Sequence, residues 1–286
     1  MNVRQRPALG AALLVVAMAA FSLSDALAKQ LAPQFPPAVL VWCRYLGLLI
    51  SVAPLLVRDP TILRTGQPLT QLLRAVGLVG SALLFLKALA VIPQAEATAM
   101  VFASPLFVLI LSRIALREPV GARRFAPVLM GFAGVLIVVR PGTLHFGGAE
   151  FFPIFSSVAW AFAVVLTRKL STTDGVATTM LYSALVGVAS MSLVALPTLD
   201  VHALRGAWPV LALMTAAWCL AQWLSVAAYR VAAPQLIAPF SYSQLLWATL
   251  LGLLISSHWP DAISLLGMAV IVLSGLYAAW LSRARA

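Results

Sequence analysis

The sequence predicts an all-α membrane protein with ten transmembrane helices, arranged as two inverted five-helix repeats with both termini in the cytoplasm. Of the 286 residues, 62% are apolar and only 9% are charged. Soluble domains have about 45–50% apolar and about 25% charged residues. The composition therefore excludes a soluble enzyme, a disordered chain and a secreted disulfide scaffold, because most of this chain requires lipid as its solvent.

The apolar residues fall into ten stretches, each long enough to cross a bilayer as a helix of roughly 20 residues. Proline, glycine and charge clusters separate them. The first stretch resembles a signal peptide, but it runs past twenty residues and contains Asp25, so we expect it to be retained. The loops leave no room for a soluble domain. The predicted spans are 8–30, 37–57, 70–91, 94–115, 123–140, 150–170, 175–196, 208–230, 234–257 and 261–281.

The basic residues give the orientation of these spans. With the N-terminus inside, fourteen of the 19 Lys and Arg residues lie on the cytoplasmic side. Four lie outside (Lys29, Lys87, Arg140 and Arg205), and Arg44 lies within the second span. Cytoplasmic loops of membrane proteins carry such an excess, so the net charge of +11 indicates orientation rather than nucleic-acid binding.

An internal repeat relates the two halves at an offset of 141 residues. Pro93-Gln94 falls on Pro234-Gln235, and Gly134 falls on Gly275. Chance matching among apolar residues is the alternative, but proline and glycine are the rarer residues here. Five is an odd number, so two five-helix repeats, 1–145 and 146–286, must enter the membrane from opposite sides, as in many secondary transporters.

The first half resembles the drug/metabolite transporter superfamily, EamA type. Its hallmarks are a span with a mid-helix proline, a glutamate that closes that span and a glycine in the next helix. Pro105, Glu118 and Gly134 occupy those places, and Arg44 matches an arginine often found in the second helix. The second half departs from the pattern, since Leu246 and Trp259 stand where the proline and the glutamate would map, so the two halves need not contribute equal site chemistry.

The resemblance implies a secondary transporter of the bacterial inner (plasma) membrane that works by alternating access through a central cavity. The chain looks most like the YddG-like exporters, which implies export of amino acids with aromatic or other apolar side chains. Export of drugs or other metabolites, or a pore or scaffold subunit, are the alternatives. An enzyme is not expected, because the sequence has no HExxH, paired intramembrane Asp or GK[ST] motif.

The expected partners are a small-molecule substrate and the lipid bilayer. We expect no nucleic acid, no cofactor and no metal. The fifth and tenth spans each carry two glycines that allow close helix packing, but neither span contains a GxxxG motif. A monomer is therefore favoured over a dimer.

Charged residues inside the spans are the first site candidates, because each costs about 2.5–3.5 kcal/mol at membrane depth. Asp25 shares a helix face with Lys29. This indicates either a local ion pair near the outer interface, or an Asp25 that meets a substrate ammonium or a proton. Arg44 is either a structural clamp or the partner of a substrate carboxylate. Asp25 and Glu96 are possible proton-coupling groups, although Glu96 and Lys87 could equally lie at the outer surface.

Aromatic and polar side chains form the predicted lining of the cavity. Buried polar groups in a bilayer need partners, so these should face protein or water. For a serine the alternative is back-bonding to its own helix, and for Trp160 or Trp218 a lipid-interface belt. The substrate-cavity candidates are Phe21, Asp25, Arg44, Ser81, Phe85, Trp160, Trp218, Gln222, Tyr242 and Gln244.

Prolines inside the predicted spans are candidate bending points. Pro54, Pro105 and Pro239 each remove a backbone hydrogen bond and should bend their helices. Spans 4 and 9 are repeat partners and both carry one. We therefore predict that these prolines are hinges beside the cavity, with a static kink as the alternative.

Overall fold

The computed structural model describes residues 7–115, 125–140, 147–170, 173–232, 237–257 and 259–283, and within them the regular elements are helices. In the first half these are α1 (Pro7–Leu31), α2 (Pro37–Arg58), α3 (Pro68–Leu89), α4 (Gln94–Val101), α5 (Ser104–Ala115) and α6 (Phe125–Val139). The second half contains α7 (Phe151–Leu170), α8 (Val176–Ala195), α9 (Val201–Val231), a 3-10 helix (Ala238–Tyr242), α10 (Ser243–Ser256) and α11 (Ala262–Arg283).

Each predicted span corresponds to a helix or to a broken pair of helices, so the all-α fold with ten spans is confirmed. Among the described residues, five helices are long and apolar enough to cross a membrane by length and composition. They are α1, α2, α3, α8 with the short turn that follows it (Val176–Thr198), and most of α9 (Val201–Ala228). Four further apolar helices are shorter, within α6, α7, the 3-10–α10 segment and α11. The proposed repeat boundary at 145 lies outside the described residues, as does Glu118.

The eighth span begins seven residues before the predicted position of 208. Asp200 caps α9, since its carboxylate accepts hydrogen bonds from the backbone N–H groups of His202 and Ala203. Such a cap satisfies donors that the first helical turn leaves unpaired. The helix then continues through Pro209, which is exposed.

The fourth and ninth spans are both interrupted. Span 4 breaks at Phe102 and Ala103, so that Pro105 is the second residue of α5. Span 9 starts as a 3-10 helix that contains Pro239 and becomes α-helical at Ser243. Pro54, in contrast, lies within the continuous α2. The predicted bends are present in the two repeat partners, while the hinge role of all three prolines remains a prediction.

The packing between helices follows an inverted two-fold pattern. Helix α1 packs along α9, and their counterparts α7 and α3 pack along each other. The pairs α2–α8 and α6–α11, each made of two counterparts, also pack closely. Helices α6 and α11 approach most closely at Gly134 and Gly267, where an added Cβ on either residue would lie 2.8 Å from the carbonyl oxygen of the other. The glycines therefore serve packing between the two halves.

Candidate functional site

A buried ion pair joins α1 to α2 in the outer part of the bundle. Arg44 Nη2 donates to Asp25 Oδ1 at 2.9 Å, and both residues are almost fully buried. Asp25 lies six residues before the end of α1 and Arg44 seven residues after the start of α2, about 10 Å along each helix from its outer end. Asp25 thus pairs with Arg44 and not with Lys29.

Lys29 instead holds the turn between α3 and α4. Its Nζ donates to the carbonyl oxygen of Leu89 at 3.0 Å and to that of Ile92. These carbonyls lie at the end of α3 and just beyond it, where a helix leaves acceptors without intrahelical partners. The ammonium group therefore stabilises the outer end of α3 and the turn that leads into α4.

One turn inward of Asp25, Ser22 connects α1 to both interrupted spans. Gln94, the first residue of α4, donates through Nε2 to the carbonyl oxygen of Ser22 at 2.7 Å. The Ser22 hydroxyl donates to the carbonyl oxygen of Gln244 in α10 at 3.2 Å. Ser22, Asp25 and Lys29 lie on one face of α1 by helical spacing, and we call these three residues the α1 polar stripe.

Aromatic residues from neighbouring helices belong to the buried cluster that also contains Leu27 and Leu31 of α1. The rings of Tyr45 and Trp218 meet edge to face with centroids 5.3 Å apart. Tyr45 also lies directly on Gly187 of α8, where an added Cβ would be 2.3 Å from the ring. Phe21 and Phe85 are half-buried against the same cluster. The four rings come from α1, α2, α3 and α9 and belong to one large buried cluster, in which Tyr45 and Trp218 are in direct contact. Phe21, Phe85 and Trp218 were candidates from the sequence, and Tyr45 was not.

The remaining predicted lining residues are divided between the interior and the surface. Ser81 is buried and its hydroxyl lies 3.0 Å from that of Ser156 on α7. Gln222 is half-buried in α9. Trp160 is exposed near the middle of α7, so it lies on the outside of the bundle and not in the interior.

Tyr242 lies away from the stripe, next to the break in span 4. Its ring stacks on Phe102 with centroids 4.9 Å apart. A cleft of about 40 Å³ opens beside them and is also lined by Pro105, Phe132 and Ser274. Ligand pockets typically measure about 300–1,000 Å³, so this cleft is too small to hold a metabolite. It marks imperfect packing at the helix break.

A second polar cluster links α3 to α7 and α8 on the cytoplasmic side. Arg74 donates to the hydroxyls of Thr167 at 2.6 Å and Ser183 at 2.7 Å, and Gln71 donates to Asp174 at 2.6 Å. Burial raises the pKa of the Asp174 carboxyl, but hydrogen bonds from Thr65 and Gln71 outweigh it and hold this pKa below its usual value. The cluster ties the third span to the second half.

A third cluster lies at the outer surface, where α4, α6 and α11 meet. Arg140 pairs with the exposed Asp261, and the hydrogen bond from Arg140 holds the pKa of that carboxyl well below its usual range. Ser264 donates to Glu96 at 3.3 Å. Glu96 is half-buried and accepts from the buried Ser264 beside this surface pair, and its role stays a prediction.

Sequence reasoning missed several of these residues. Gln94 carried a signal, since it belongs to the Pro-Gln pair that recurs at the repeat offset. Arg74 was counted as a loop charge, but it lies one to two turns inside α3. Ser22 and Ser156 act through backbone and hydroxyl groups of distant helices, for which a single sequence contains no signal.

Comparison with known families matches residues 8–140 to the EamA-like transporter family. A riboflavin transporter of Vibrio cholerae is 31% identical over 281 residues, which cover 96% of this chain and 94% of the relative. A riboflavin transporter of Brucella anthropi is 27% identical, covering 85% of this chain and 87% of the relative. An S-adenosylmethionine uptake transporter of Rickettsia bellii is 23% identical, covering 92% and 90%.

A solved crystal structure is also similar in fold. It superposes with a TM-score of 0.68 at 20% sequence identity and covers 96% of this chain and 97% of that chain. At this identity the similarity concerns the fold alone.

Proposed function

We propose that this chain, which belongs to the EamA-like transporter family, takes up riboflavin or a related flat heteroaromatic molecule by alternating access. Membership makes the chain a multi-pass transporter of the bacterial inner membrane, and it confirms the prediction that the protein is not an enzyme. The substrate and the direction of transport are the proposal. The observation that carries it is 31% identity with a riboflavin transporter over nearly the whole of both chains.

The interior chemistry supports a neutral aromatic substrate. Riboflavin carries a tricyclic ring and a hydroxylated side chain but no net charge at neutral pH. Tyr45 and Trp218 are buried against each other, and the half-buried Phe21 and Phe85 pack on the same cluster. We expect these rings to offer stacking surface to such a ring system when transport opens the bundle.

Amino-acid export, to which the resemblance to YddG-like proteins pointed, is not supported by the relatives described above. The scheme in which Asp25 meets an ammonium and Arg44 meets a carboxylate also requires both charges to be available. In the structure they bond to each other at 2.9 Å. A zwitterion would have to separate a buried pair, which leaves two charges without their partners before new contacts form.

Uptake of radiolabelled riboflavin into proteoliposomes tests the proposal. We expect saturable uptake that unlabelled riboflavin inhibits, and growth of a riboflavin auxotroph on low external vitamin when the gene is expressed. Vesicles with S-adenosylmethionine, tryptophan or phenylalanine as substrate form the parallel arms. Transport in one of those arms without riboflavin transport would refute the assignment, and a linear, unsaturable flux would indicate a pore.

Asp25 is our candidate for proton coupling of this uptake. Among the described residues it is the carboxylate that lies deepest within a span, whereas Glu96 lies beside the surface pair of Arg140 and Asp261. In Asp25→Asn the amide oxygen can still accept from Arg44, although loss of the charge lowers stability. Measured per amount of folded protein, this variant should lose the stimulation of uptake by an inward proton gradient and retain counterflow exchange, since exchange needs no net proton movement. Glu96→Gln is the matched control and should retain the stimulation. If both variants keep full, pH-dependent transport, neither carboxylate couples uptake to proton movement.

A further inference from the structure

We propose that the α1 polar stripe closes the outer side of the transport route, with Lys29 as the residue that holds this gate shut. The inference rests on the proposed transport function and adds the residues that must separate when the protein opens outward. It starts from the three side chains of the stripe, each of which bonds to a different neighbouring segment.

The contacts of the stripe converge on the segments that surround the outer half of the bundle. Lys29 bonds to the turn between α3 and α4, Asp25 to α2, and Ser22 to α4 and α10. The bond from Ser22 to Gln244 joins the first half of the chain to the second. An outward opening that moves α1 and α2 together away from α3, α4 and α10 must break the bonds of Lys29 and Ser22, while the Asp25–Arg44 pair keeps α1 on α2.

Apolar packing at the same level supports a closed outer side. The largest buried cluster among the described residues includes Leu27 and Leu31 of α1, Leu86 and Leu89 of α3, and Leu211 in the outer half of α9. Lys29 extends from α1 to the end of α3, where its ammonium group bonds to the carbonyl oxygens of the buried residues Leu89 and Ile92. The apolar packing and the Lys29 bonds therefore close the same end of the bundle.

The positions of α7 that are equivalent to the stripe carry apolar residues. At the offset of 141 residues, Ser22, Asp25 and Lys29 fall on Ala163, Leu166 and Leu170 of α7. Ala163 and Leu170 are buried. The cytoplasmic end of α7 is held instead by the Arg74 guanidinium of α3, which donates to Thr167, so the two closures use different charged groups. Removing the Lys29 ammonium group weakens the outer closure and leaves the cytoplasmic one intact. Hydrogen bonds to a charged donor are stronger than neutral ones, so removing this charge should shift the equilibrium toward outward opening.

Accessibility of a buried cysteine measures that equilibrium without any substrate. The background carries Cys43→Ala and Cys219→Ala, and Thr98→Cys places one thiol on α4, one turn inward of Gln94 at a site that is 3% exposed. A membrane-impermeant maleimide is applied to right-side-out spheroplasts. With Lys29 present we expect slow labelling, and Lys29→Met should raise the labelling rate by roughly tenfold, the scale expected for a charge-assisted bond.

Lys87→Met is the matched control. Lys87 lies at the outer end of α3, exposed, with its ammonium group 6.0 Å from the centre of the Phe152 ring. The Lys87→Met variant loses the same charge on the same side of the membrane. Its labelling rate should equal that of the background that retains both lysines. Gln94→Leu removes the donor to Ser22 from the opposite side of the gate and should raise the rate as Lys29→Met does.

Equal labelling in Lys29→Met and Lys87→Met would overturn the proposal, as would rapid labelling of the background. If Lys29→Met does not accumulate as a folded protein, Gln94→Leu alone decides, and an unchanged rate in that variant refutes the gate. The readout is independent of riboflavin: failure of the uptake assay leaves the labelling result interpretable, and unchanged labelling leaves the substrate assignment standing.

Discussion

Arg44→Met is expected to destabilise the folded protein by about 3–5 kcal/mol, because it leaves the Asp25 carboxylate buried without its partner. Methionine retains most of the side-chain length, so loss of packing is small. Thermal unfolding of the purified variant in detergent, followed by fluorescence-detected gel filtration, measures the loss. We expect a markedly lower midpoint temperature and reduced accumulation in membranes.

The double variant Arg44→Met with Asp25→Leu is the control for this result. Removing both charges of a buried pair is often neutral or stabilising, whereas removing one is costly. The double variant should therefore recover most of the lost stability. Equal losses in the single and double variants would show that Arg44 stabilises the bundle through contacts other than the ion pair.

Gly134→Ala is expected to weaken the contact between α6 and α11 by about 1–3 kcal/mol, the usual cost of overpacking. The added methyl group would lie 2.8 Å from the carbonyl oxygen of Gly267 and 3.0 Å from the backbone nitrogen of Ile271. Backbone atoms cannot rotate away as a side chain can, so the two helices must separate. The midpoint of thermal unfolding measures the effect.

Gly80→Ala makes the same chemical change in open space. No heavy atom lies within 4 Å of a Cβ added at Gly80, and the residue is within α3. Because alanine favours a helix over glycine by about 1 kcal/mol, this variant should be neutral or slightly more stable. A stable Gly134→Ala variant would indicate that α6 and α11 adjust their separation freely, contrary to the close contact described here.

The ten spans, their orientation and the all-α fold were predictable because they depend on properties of the chain that tertiary contacts do not alter. The length of an apolar stretch decides whether it crosses the bilayer, and the side on which Lys and Arg accumulate decides its direction. The break in span 4 was predictable for the same reason, since Pro105 lacks an N–H group in any fold. The start of α9 was missed because the cap at Asp200 allows the helix to run through Pro209.

The partners of the charged residues were decided by the tertiary structure. Spacing within α1 made Lys29 the nearest candidate for Asp25, but helix α2 brings Arg44 closer and Lys29 turns to the carbonyls of Leu89 and Ile92. A backbone carbonyl is present at every position, so a sequence does not mark the one that will accept a bond. The sequence by itself determined that scarce charges lie within the membrane. Packing of the helices determined their partners, because buried charges bond to whichever polar groups the fold brings within reach.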